Sequence, residues 1–172
     1  MIGVNALSGG GGGRDPVSTQ ISQGAGTPIG NMTSGGGLAA AFDGNTSQAQ
    51  SVGARSSNGG ASSFSGYNNT IGKDWGVDTF KIIDRFKFWG PNDNNVLGAQ
   101  GTIDFKLQGS NDNSNWTDLY TATGVSSPSG STVVDVTSGI ATSSGFRFHR
   151  ANFNGNGSNG LGIAELQFWE RA

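Results

Sequence analysis

The chain has no cysteine, a single histidine, two glutamates and four prolines, and only 13% of its 172 residues are charged. Without cysteine there is no disulfide framework, no thiolate zinc site and no thiol nucleophile. Nowhere do about 18 apolar residues follow one another, so no membrane-spanning helix is expected. The start, Met1-Ile2-Gly3-Val4, lacks the basic segment and apolar run of a secretory signal. The chain is therefore expected to be made in the bacterial cytoplasm without a cleaved leader. A formal net charge of −2 and an isoelectric point near 5.1 argue against the nucleic-acid backbone as a partner.

What the chain has in excess is glycine, 31 residues, where the usual share is about 7%. The glycines show no period of three, which excludes collagen. A third of the residues are hydrophobic and 9% aromatic, enough to build a core. Low charge with abundant Gly, Asn, Ser and Thr suits an all-β protein rich in turns.

Residues 1–37 hold three glycine clusters separated by Ser, Thr, Gln and isolated apolar residues such as Val4, Leu7, Val17 and Ile21. Such a segment buries too little surface to offset its ordering entropy by itself. It is expected to be an extended anchoring arm, held by a neighbouring subunit or another partner. The folded part is expected over 38–172. There Asp78 to Gly90 reads as a strand with Phe80, Ile82, Phe86 and Phe88 on one side. Thr102 to Gln108 alternates, with Ile103, Phe105 and Leu107 inward and Asp104 and Lys106 outward. Ser131–Thr137, Phe146–Phe153 and Gly162–Glu170 read as further strands, with Phe146, Phe148, Leu166 and Phe168 as core. Period-two alternation broken by Gly and Asn predicts a sandwich or barrel. Only Gly37 to Phe42 suits a helical turn.

Four stretches, in order, carry a resemblance: Ala40 to Ser47 (Ala-Ala-Phe-Asp-Gly-Asn-Thr-Ser); Trp75 with Asp84 to Phe88; Phe105 to Trp116; and Phe146 to Arg150 with Gly162 to Phe168. From about Leu38 to Glu170 the chain resembles the discoidin, or coagulation factor type C, domain, a galactose-binding-like fold. The closing strands are most similar to such modules in phage tail and head appendages. The resemblance implies a jelly-roll β-sandwich whose loops at one end bind glycans, or in some branches lipids or proteins. Fold alone does not settle the ligand.

Asp43, Asn45 and Ser47 stand at alternating positions of a Gly-containing loop, the pattern of hard oxygen ligands that calcium uses. The resemblance implies that a structural calcium would join this loop to the last strand through Glu165 and the Ala164 carbonyl. The alternative is an Asx-turn bonding its own backbone, with Glu165 bonded to loop amides. For a glycan, Arg147 and His149 share a strand face and offer donors to sugar hydroxyls. Tyr67, Trp75 or Trp89 offers a flat apolar ring for a pyranose. The alternative reading makes Trp75, Trp89, Trp116 and Trp169 core or edge residues and pairs Arg147 with an Asp. Tyr67, in a variable loop over Ser62 to Ile71, is the preferred binding residue.

Gly155 to Gly160 spells a dinucleotide fingerprint, but a strand follows it and no helix, so it reads as a hairpin loop. N-glycosylation sequons such as those at Asn31, Asn45, Asn68 and Asn115 are expected by chance in so Asn-, Ser- and Thr-rich a chain. Catalysis is not expected. Glycoside hydrolysis needs two facing carboxyl groups, whereas the ten Asp fall in turns or on strand faces read as exposed, and no nucleophile elbow or phosphate loop occurs. The sequence thus predicts a non-enzymatic virion appendage or decoration protein at the virion surface, homo-oligomeric, anchored to other virion proteins by its arm and binding host surface glycan. A virion cementing protein without ligand and a bacterial lectin or adhesin module are the alternatives.

Overall fold

In β7 (Thr102–Ser110) Ile103, Phe105 and Leu107 are at most 3% exposed while Asp104 and Lys106 face outward, as period-two alternation requires. A computed structural model of the chain describes residues 17–49, 51–56, 67–93, 102–128, 132–154 and 161–171. Its other strands are β1 (Ser18–Gln20), β2 (Thr27–Gly30), β3 (Ser34–Gly35), β4 (Ala54–Arg55), β5 (Tyr67–Asp74), β6 (Ile83–Trp89), β8 (Thr117–Ser126), β9 (Val133–Val136), β10 (Phe148–Asn154), β11 (Gly162–Ile163) and β12 (Glu165–Arg171). A 3-10 turn over Leu38–Phe42 falls where a helical turn was expected.

The strands form a four-stranded sheet β1-β12-β6-β9 and a five-stranded sheet β2-β5-β10-β7-β8, with a small β11-β4-β3 sheet beside them. Their inner faces meet in an aromatic core. Phe88 of β6 packs edge-on against Phe105 and Phe153 with ring centroids 5.1 and 5.2 Å apart. Phe168 of β12 meets Trp75 at 5.6 Å. This is the expected all-β sandwich.

Three expectations change. Phe80 is 57% exposed, and Ile83, not Ile82, enters the core. The register of β6 on β12 shifts so that Arg85 faces Trp169 and Ile83 faces Glu170. Asp84 is thus the extra residue of a bulge, which inverts the parity of everything before it. Asp84 is also a largely buried aspartate, its side chain 11% exposed, on a strand whose acids read as exposed.

Second, the boundary at residue 37 does not hold for the described residues. β1 pairs with β12, β2 with β5 and β3 with β4, and Ile21 and Met32 belong to the core. Gly30 explains one glycine of this stretch: at φ +130° it lies so close to β5 that a Cβ would sit 2.1 Å from the Thr70 carbonyl oxygen. Residues 1–16, with the Gly9–Gly13 cluster, lie outside the described residues, as does Gly155–Gly160.

Third, Tyr67 to Ile71 is not loop but the first part of β5, paired along β10, with β2 joining on the other side from Ile71 onward. Neighbouring strands, not the β propensity of Asn, Gly and Lys, make this segment extended.

Candidate functional site

Strand pairing gathers the ends Tyr67, Trp89, Thr102, Ser126, Val133, Asn154 and Glu165 at one end of the sandwich. Trp75, Arg147 and His149 lie at the opposite end. Eight residues along β5 separate Tyr67 from Trp75, roughly 26 Å at about 3.3 Å per residue. The four residues expected to bind a sugar therefore do not form one site.

At the far end the three residues make a clasp. His149 is fully buried and Trp75 is 8% exposed. The indole Nε1 of Trp75 donates to His149 Nδ1 at 2.8 Å, which places the ring proton on Nε2. Burial pushes the imidazole pKa down to about 3. Arg147 forks onto Asp74, donating from Nε at 2.8 Å and from Nη2 at 2.7 Å, and these bonds hold the Asp74 carboxyl below its ordinary range. Trp75 and His149 thus face the core rather than a rim, and Arg147 has the aspartate partner that the alternative reading gave it.

Tyr67 opens onto the outer face of the five-stranded sheet, where a polar ladder links two aromatic rings. Lys106 Nζ lies 4.7 Å from the Tyr67 ring centroid and donates to Asp118 Oδ2 at 2.7 Å. Gln108 donates to Asp118 Oδ1 at 2.7 Å and accepts from Arg150 Nε at 2.8 Å and Asn152 Nδ2 at 3.2 Å. Arg150 in turn lies 3.8 Å over the Trp116 ring. Sequence alternation shows which of these side chains point outward, but not that β5, β7, β8 and β10 lie side by side.

Asp43, Asn45, Ser47, Ala164 and Glu165 do come together, where the loop meets the start of β12. Asp43 Oδ1 accepts from Asn45 N at 2.8 Å, and Asn45 Oδ1 from Ser47 N at 3.1 Å, two successive Asx-turns. Glu165, fully buried, accepts from Gly44 N at 3.2 Å and from Gln23 Nε2. Burial raises its pKa to about 7 against the pull of these bonds.

Oxygens do converge as a calcium site would need, but the point of convergence is taken. Gln48 Nε2 lies 2.7 Å from Asp43 Oδ1, 3.0 Å from Ala40 O, 3.2 Å from Asn45 O and 3.5 Å from Ala164 O. A carboxamide nitrogen donates and cannot ligate a cation, so the donor set as folded does not fit calcium. Nothing in the spacing of Gln48, Gln23 and Lys73, which complete this cluster, marks them in the sequence.

No sequence-family model and no curated protein sequence matches the chain. Solved structures do. A family 62 carbohydrate-binding module of Clostridium thermocellum Xyl5A matches at 24% identity and TM-score 0.59, over 90% of this chain and 97% of that one. The family 32 module of C. perfringens NanJ, solved with galactose, matches at 15% identity and TM-score 0.64, over 90% and 100%. The lectin domain of Lectinolysin, solved with Lewis B antigen, matches at 18% identity and TM-score 0.61, over 91% and 100%. This chain therefore has the galactose-binding-like fold of carbohydrate-binding modules and discoidin domains.

Proposed function

We propose that the protein is a non-enzymatic glycan-binding module carried on a virion, engaging host surface glycan at the end of the sandwich that bears Tyr67. The carrying observation is the Tyr67 ring, placed where the strand ends converge, on a fold whose full-length counterparts include modules solved with galactose and Lewis B antigen. A pyranose stacks on the tyrosine, and the neighbouring Lys106 and Asp118 bond its hydroxyls. Residues 1–16 anchor the module to other virion proteins, and a homo-oligomeric array multiplies weak single-site affinity into avidity. The glycine clustering of this stretch and the resemblance of the closing strands to phage appendage modules support the virion reading.

A second reading, a bacterial lectin or adhesin module, draws support from the matched modules of the two Clostridium species. Immunogold labelling of purified particles separates the two readings, since label on virions supports the first and its absence the second. Binding itself is tested on a glycan array with the intact protein. Signal confined to a related set of galactose-containing glycans supports the proposal, and a flat array overturns it.

A further inference from the structure

The loop Asp43–Gln48 is tied to the start of β12 by groups that take up the work of a metal ion. Four oxygens face one point: a carboxylate oxygen of Asp43 and the carbonyls of Ala40, Asn45 and Ala164, drawn from two separated segments of the chain. Gln48, 3% exposed, puts its NH2 there, with its shortest contacts, 2.7 and 3.0 Å, to Asp43 and Ala40. Reversing the carboxamide would set Oε1 against four oxygens with no proton between them, a contact that only a cation relieves. The two orientations thus make opposite demands on the solution. In the one seen here Oε1 is buried without a hydrogen-bond donor among the described residues, so the amide accepts one unmet bond to fill the cage.

Charge is balanced next door. Lys73 is 3% exposed. Its Nζ donates to Gln23 O at 2.9 Å and lies 4.3 Å from the Phe42 ring centroid. The same Gln23 donates from its side chain to Glu165 Oε1 and, at 3.0 Å, to Leu166 O. One glutamine therefore couples the ammonium of β5 to the buried carboxylate of β12. Burial lowers the Lys73 pKa while the Glu165 charge opposes that shift.

We propose that the Gln48 carboxamide and the Lys73 ammonium together replace a bound calcium, so that this sandwich closes its Asp43 loop onto β12 without metal. The replacement is independent of what the module binds. A divalent ion held by hard oxygens attracts both carboxylates at once. Here an NH2 group serves the Asp43 oxygen, and a covalently fixed cation serves Glu165 through Gln23. Such a clasp stays shut under conditions that strip ions from proteins.

The test is calcium titration calorimetry on the full chain, paired with thermal melts in calcium chloride and in EDTA. No saturable binding and superimposable melts are expected. One-site calcium binding, or a melting temperature raised by calcium over EDTA, would overturn the proposal. Two variants probe the replacing groups. Gln48→Ala empties the cage, and its melting temperature is expected to fall in EDTA; an unchanged value contradicts the role given to the amide. Lys73→Met keeps the length and removes the charge, and it too is expected to melt lower; an unchanged value contradicts the role given to the ammonium. If neither variant folds, the wild-type titration still decides.

Discussion

The indole nitrogen of Trp75 is bonded at 2.8 Å to Nδ1 of His149, the only histidine, inside the core at one end of the sandwich. The sequence offers the same two residues as a sugar platform and its donor. Their burial gives them a different task, and it makes stability depend on pH. The folded pKa of His149 is about 3 and the unfolded one about 6.5. The unfolded state therefore takes up the proton first as pH falls. The contribution of the neutral ring is whole above pH 6.5 and is lost progressively toward pH 3. His149→Gln, whose side-chain oxygen can still accept from the indole, should reduce that slope. Melts of both proteins from pH 7 to pH 4 check this; parallel curves would contradict it.

Arg147 and Asp74 join β5 to the approach of β10 by two parallel bonds, with side chains 29% and 21% exposed. A paired fork of this kind leaves a small net coupling after solvent screening. A double-mutant cycle with Arg147→Ala and Asp74→Ala should return that coupling. Arg147→Lys should recover little of it, because an ammonium lacks the planar fork. The Asp74 pKa lies below its ordinary range, so the coupling should be present at neutral pH and vanish in acid as that carboxylate protonates.

Truncation distinguishes the two parts of the glycine-rich N-terminus. Removing residues 1–16 should leave the melting temperature unchanged and, if the anchoring proposal is right, abolish attachment to particles. Removing 1–37 also takes β1, β2, β3, the buried Met32 and the Gln23 link, and should abolish cooperative unfolding. A 38–172 fragment that melts like the full chain would restore the boundary at residue 37. Particles still decorated by the 17–172 fragment would remove the case for an anchor.

Much of the core was legible because Phe86, Phe88, Phe105, Leu107, Leu166 and Phe168 alternate with polar residues, and burial follows that alternation. β5 was not, since Tyr67-Asn-Asn-Thr-Ile-Gly-Lys-Asp74 carries low β propensity and owes its extension to β2 and β10. β1 to β3, two to four residues each, are too short for any period to register. The bulge at Asp84 depends on register with β12, some 85 residues later in the chain, and so leaves no local trace. The cluster at residues 43–48 was half legible: the spacing of Asp43, Asn45 and Ser47 announces converging oxygens. That Gln48 reaches the centre, and that Lys73 and Gln23 complete the charge balance, emerges only when four separate segments meet.

The central claim is glycan binding at the Tyr67 end, and its most direct test is a titration of the best array glycan into wild type and Tyr67→Ala. Losing a stacking ring costs about 1 kcal/mol, roughly a fivefold rise in Kd. Saturable binding by wild type, weakened about fivefold in the variant with an unchanged melting temperature, is the expected result. Equal affinity in the two proteins would contradict the site, and no binding by wild type would contradict the function.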